Sequence, residues 1–171
     1  MGPVIRRRRV KRSGDRFVLN LRDHEADILR ELADALDPML DDPSSDTGLH
    51  RLFPPAHPDD VMAEAAWQIE QGAALRDSRR ASLDALRTSG PLDEVGLIAW
   101  MQGVNAVRLV VGERLGTSGD PSDDERYRRA LVLAQGEGPE AEAAEALLHL
   151  AAVADLLAGL VDDAVHALGD D

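Results

Sequence analysis

One segment constrains the fold more than any other. Residues 94–115, EVGLIAWMQGVNAVRLVVGERL, carry apolar side chains on nearly every side of a helix. Leu97, Ile98, Met101 and Val104 share one side with Asn105 and Arg108, while Trp100, Val107, Val110 and Val111 cover much of the rest. A helix that is apolar all round is stable only inside a shell of other elements. The expectation is therefore a central helix from about Asp93 to Leu115, stopped by Gly116, a residue suited to the left-handed turn at a helix end.

The remaining sequence supplies that shell. Asp23 is an expected N-cap, with Glu25 and Asp27 adding negative charge to the first turn of a helix over 23–40. Its apolar stripe is Ile28, Leu29, Leu32, Ala35, Leu36, Met39 and Leu40. Residues 41–58 form a long Pro/Ser/Asp-rich connection in which Leu49, Leu52 and Phe53 should pack on the body as a short helical turn. A second helix is expected from near 59 to 88, with Met62, Ala65, Ala66, Ile69 and Ala73 as its first buried stripe and Leu83 and Leu86 as its last. A fourth opens at Asp120-Pro121, with Ser122 and Glu125 offering a capping box, and ends near Gly136. A fifth runs from about Pro139 to Leu168, with Ala143, Leu147, Leu150, Ala151, Ala154, Leu157, Val161 and Val165 facing inward. Aromatic residues are only 3% of the chain, so Leu, Val and Ala must fill the core.

Residues 4–22 read as an antiparallel β-hairpin. RFVLNLR alternates, with Phe17, Leu19 and Leu21 on one face. SGDR supplies a two-residue turn with glycine at its first central position, which suits a type II′ geometry. Pairing Ser13 with Arg16 sets Val10 against Leu19 and Arg12 against Phe17. Helix 23–40 is the nearest cover for the apolar face. The fold class is mainly α (α+β): one domain over 1–171, a hairpin followed by about five helices, those after the long loop lying in 59–168.

Charge divides the chain. Its net charge is −13, yet residues 1–22 hold eight basic side chains and one acid, so the head is +7 and the body −20. Such a body repels nucleic acid and anionic membranes, and only the hairpin could attract them. Arg7, Arg9 and Lys11 fall on the outer strand face as candidate anion-facing residues; Arg6, Arg8 and Arg12 should edge the core and meet carboxylates. An export signal would need roughly 7–15 apolar residues after the basic run. RVKRSGDRFVLNL stands there instead, and no stretch reads as an uninterrupted membrane span, so a cytoplasmic, non-membrane protein is expected. The absence of cysteine excludes disulfides, thiolate metal sites and cysteine nucleophiles.

No motif for catalysis, cofactor or metal appears. None of His24, His50, His57, His149 and His166 has zinc-ligand spacing. The acidic pairs, Asp162-Asp163 among them, read as solvated charge and helix-dipole complements. Asn105 and Arg108 are the notable polar pair, three residues apart in the most apolar helix. They fit either a buried structural network that ties this helix to an acidic neighbour, or a site for a small anion or a peptide carboxylate.

Three stretches carry a resemblance: FVLNLRDHEADILRELADAL, LHRLFPPAHPDD and LDEVGLIAWMQGVNAVRLVVGERLG. With the Arg51–Pro55 segment and the pattern Trp100, Asn105, Arg108, Leu109, Arg114, Leu115, Gly116, they resemble the actinobacterial family named domain of unknown function two thousand and seventeen. The resemblance implies no catalytic residues. It implies a gene setting beside the Clp protease adaptor ClpS and near enzymes of sulfur metabolism, and some such relatives are labelled transcriptional regulators. The expectation is a non-catalytic protein acting through contact with a protein partner, in a setting linked to Clp-dependent proteolysis. The alternative is a nucleic-acid-binding regulator using the basic hairpin. A homodimer through the hairpin edge is a further expectation, opposed by the arginines along it.

Overall fold

The computed structural model describes residues 7–116 and 121–169. Residues 4–6 of the expected hairpin, the Asp120 cap and the Ser122 side chain lie outside the described residues. The hairpin consists of β1 (Val10–Ser13) and β2 (Arg16–Leu19). Its register is the expected one, with Val10 opposite Leu19 and Arg12 opposite Phe17. Gly14 has φ +64° and Asp15 does not share a positive φ, the pattern of a type II′ turn. Val10 and Phe17 are buried, so the alternating pattern does define the core face.

The cover on that face differs from expectation. β1 lies on the last helix and β2 on the central one, rather than on the helix that follows the hairpin. Phe17 also exchanges two backbone hydrogen bonds with Leu92, both 2.8 Å, which occupies part of the outer edge of β2. The backbone amide of Arg9 donates to Asp163 Oδ2 at 3.0 Å. These bonds take up backbone that a hairpin-edge dimer would need.

Five helices follow: α1 (Asp23–Leu36), α2 (Val61–Leu86), α3 (Glu94–Leu115), α4 (Pro121–Leu133) and α5 (Pro139–Gly169). The N-cap of α1 is Arg22, not Asp23; Glu25 Oε2 accepts the Arg22 amide at 2.9 Å. This helix stops at Leu36 rather than Leu40. Pro38 has no N–H to give to Asp34, and the chain tightens into a 3-10 turn over Asp37–Asp41. Two more such turns, Pro43–Ser45 and Thr47–Leu49, build the long connection, with Leu49 and Leu52 buried. The Asp60 carboxylate accepts from the amides of Met62 and Ala63, and that of Asp93 from Gly96, which fixes the starts of α2 and α3. Gly116, at φ +60°, closes α3 as its sequence position suggests.

α3 is central, packed on α2 on one side and α5 on the other. Leu97, Trp100, Val104 and Val107 are among its buried residues. The crossing with α2 depends on Gly103: a methyl group there would stand 2.2 Å from the Ser82 carbonyl oxygen. α3 and α5 are both long and apolar enough to cross a membrane by length and composition alone. Here they are the two helices that pack on each other at the centre of the bundle.

Two expected stripes are displaced. On α5 the buried line is Val153, Leu157, Leu160, Asp163, Ala164 and Ala167, while Ala143 and Val165 face outward. On α2, Leu83 and Leu86 are buried as expected, but Met62 and Ile69 are exposed. Both helices have apolar residues on more than one side, and their neighbours decide which side is covered.

An ion network ties α2 to the start of the long connection. Arg80 pairs with Asp37 and Asp41 at 2.8 and 2.9 Å, and Arg87 with Asp34 and Asp84 at 2.8 and 2.6 Å. Each guanidinium is held charged above its ordinary value, chiefly by its hydrogen bond to Asp37 or Asp34 respectively.

Candidate functional site

The last two turns of α3, the middle of α5 and Tyr127 of α4 face one another across a gap. Alanines leave the facing surface of α5 thin, so the gap remains a cleft of about 630 Å³. Its described walls are Arg108, Leu109, Gly112 and Leu115 from α3, Tyr127 from α4, and Leu148, Ala151, Ala152, Ala154, Asp155 and Ala158 from α5. Arg51 reaches in from the long connection. Leu148 to Ala158 spans about 15 Å of helix.

Each wall is positioned by a local device. Arg126 donates to the Leu115 carbonyl at 2.6 Å, anchoring α4 to the end of α3. Asp46 accepts from the Gly48 amide at 2.7 Å and from Arg114 at 3.0 Å, which pins the Thr47–Leu49 turn to α3. The Gly48 amide is the leading cause of an Asp46 carboxyl below its ordinary value; slight burial opposes it and Arg114 adds to it. Arg51, just beyond that turn, pairs with Glu113 at 2.7 Å and stands at the rim.

Arg108 behaves differently from its neighbours. It is exposed, and it makes no ion pair or side-chain hydrogen bond with the described residues. Asp155 lines the same cleft without pairing to it. The expectation that Asn105 and Arg108 form one buried polar pair is therefore corrected. Asn105 is half-buried and lies outside the cleft walls, one turn away from an arginine that faces water. A guanidinium with no carboxylate within reach is too costly to bury, so the chain keeps it at a surface.

The hairpin candidates also separate. Arg9 is not an outward anion site. Its Nε lies 2.8 Å from Glu25 Oε1 and its Nη1 4.0 Å from Asp163 Oδ2, both carboxylates being nearly buried. Burial pushes the Glu25 carboxyl up, but the Arg22 amide and the Arg9 guanidinium outweigh it, and the net shift is downward. Arg7 is exposed and donates to the Asn20 carbonyl at 2.7 Å, and Lys11 is exposed. Arg12 is exposed too, its guanidinium lying 5.8 Å from the centre of the Phe17 ring. The residues missed from sequence are Glu25, Asp163, Arg51, Gly112, Tyr127 and Asp155. Asp163 alone had a readable signal, since it lies on the side of α5 shared by Leu160, Ala164 and Ala167.

Chemically, the cleft offers two guanidinium groups, one carboxylate and one phenol over an aliphatic floor. Its described walls contain no histidine, serine or threonine to pair a nucleophile with a base. Among the described residues no three His, Asp or Glu side chains converge as metal ligands would.

Fold and site together define a mainly α-helical domain, a helical bundle with an N-terminal hairpin and an arginine-rimmed apolar cleft. The chain belongs to the family described as Domain of unknown function (DUF2017), whose model matches residues 7–168. No curated protein and no solved structure matches it.

Proposed function

We propose that this is a non-catalytic binding protein that takes a carboxylate-bearing apolar peptide segment of a partner protein in the α3/α4/α5 cleft. The observation that carries the reading is Arg108, an arginine without an ion partner among the described residues, at the edge of an aliphatic trough. An unpaired guanidinium beside apolar surface favours a ligand with a carboxylate next to aliphatic side chains. The trough length of about 15 Å fits four to five extended residues at about 3.3 Å each. Asp155 provides an acceptor for a peptide N–H.

The family resemblance makes proteins of the Clp proteolytic system the first partners to test. The probe that needs no such partner is a short leucine- and alanine-rich peptide with a free C-terminal carboxylate. It should bind the full chain, and both Arg108→Ala and amidation of the peptide should weaken binding about tenfold or more, in line with losing a charge-assisted pair worth about 1.5–3 kcal/mol. Equal binding of the acid and the amide would remove the reading.

The nucleic-acid alternative retains Arg7, Lys11 and Arg16 as exposed cations on the hairpin, but Arg9 is turned onto the body. It predicts affinity for duplex DNA that falls steeply with salt and disappears in an R7S/K11S variant.

A further inference from the structure

The hairpin register brings two arginines together beyond its last paired residues. Val10 stands opposite Leu19, and the Asn20 amide donates to the Arg9 carbonyl at 2.7 Å. Continued outward, the same register sets Arg7 against Arg22. Nη2 of Arg7 donates to the Asn20 carbonyl at 2.7 Å, while Nε of Arg9 donates to Glu25 in the first turn of α1 at 2.8 Å. Arg7, Arg9, Arg22 and Glu25 thereby line a pocket of about 230 Å³ at the base of the hairpin.

Like charges set opposite one another across two strands are destabilising, and the described lining offers no free anion to relieve them. Glu25 is its one carboxylate, and both oxygens are engaged, Oε1 by Arg9 and Oε2 by the Arg22 amide at 2.9 Å. Asp163 meets Arg9 but does not line the pocket. Arg7 and Arg22 are exposed, and neither guanidinium has an ion pair among the described residues. We propose that the pocket binds a tetrahedral dianion between Arg7 and Arg22, either free phosphate or the phosphoryl end of a small phosphomonoester. Two unpaired guanidinium groups match the charge of roughly −2 that a phosphoryl group carries near neutral pH. Each planar fork can also meet two phosphate oxygens at once. All four lining residues are charged, so the pocket suits a compact ion, whereas the aliphatic cleft suits an apolar segment. The two share no residue, so this inference is independent of peptide binding.

The test is titration of inorganic phosphate, and separately of glycerol phosphate, into the full chain at low ionic strength, followed by arginine side-chain NMR signals. Saturable shifts at Arg7 and Arg22 are expected, and sulfate should displace phosphate far better than chloride at the same ionic strength. Arg7→Ala and Arg22→Ala should each weaken binding about tenfold or more, the effect of losing one charge-assisted pair. Their circular dichroism spectra should not change, because both side chains are exposed. Arg30→Ala removes the same charge from α1 outside the pocket and should leave binding as it is. Tighter binding of inorganic phosphate marks the free ion as the ligand, and tighter binding of glycerol phosphate marks a monoester. Shifts that never saturate, or an equal loss in all three variants, overturn the proposal. So does an effect of Arg7 and Arg22 seen with duplex DNA but with neither small phosphate.

Discussion

The guanidinium of Arg9 sits 2.8 Å from one nearly buried carboxylate and 4.0 Å from another. That of Arg108 rims an aliphatic cleft with no ion pair among the described residues. Counting charge along the chain suggests the opposite roles, because Arg9 belongs to a cationic run and Arg108 to an apolar helix. What separates them is where carboxylates are fixed in space. Glu25 in the first turn of α1 and Asp163 in the second half of α5 converge on Arg9, just before β1, whereas no acid among the described residues pairs with Arg108. An arginine neutralised inside the fold supports stability, and one left without a partner beside apolar surface is available to a ligand.

That contrast can be broken by substitution. The largest effect is expected for Arg9→Ala, which leaves Glu25 and Asp163 near the core without their cation. Breaking a buried pair costs about 3–5 kcal/mol, and the quarter exposure of Arg9 brings the expectation to about 2–3 kcal/mol in denaturant unfolding. A loss below about 0.5 kcal/mol would make the pairing a surface contact like any other.

pH gives the next test. The folded Glu25 carboxyl lies below its ordinary value, so the stability it contributes is present above about pH 4.3 and lost as pH falls through the lower folded value. Glu25→Gln should flatten that part of the acid unfolding profile. An unchanged profile would contradict the assignment.

A smaller change is expected for Gly112→Leu. No atom stands near a Cβ at that position, and leucine is a better helix former than glycine, so stability should rise by about 0.5 kcal/mol. The side chain would fill the cleft, and peptide binding should disappear. The smallest effect on stability belongs to Arg108→Ala, within about 0.5 kcal/mol, with peptide binding weakened about tenfold or more all the same. A destabilisation as large as that of Arg9→Ala would show that Arg108 is structural after all.

Local chemistry made much of the fold readable. Glycine in SGDR fixed the hairpin register, and Asp93 and Gly116 marked the ends of α3. Pro38 was equally readable as the end of α1, but the Met39-Leu40 stripe beyond it suggested a longer helix. Helix phase was the less legible quantity. α5 carries apolar residues on several sides, and its buried line was set by α3 and β1, which are distant in sequence. The same held for α2, where periodicity groups Met62 and Ile69 with the stripe expected to be buried, yet both are exposed. The cleft was legible only at Arg108. Arg51, Tyr127 and Asp155 come from three separate elements, and no spacing along the chain announces their meeting.

The most direct measurement follows amide and arginine side-chain NMR signals as the free-acid peptide is titrated into the full chain. The account predicts shifts at Arg108, Gly112 and the alanines of α5, with the amidated peptide binding about tenfold more weakly or worse. Shifts confined to other surfaces, or indistinguishable binding of the two peptides, would contradict it.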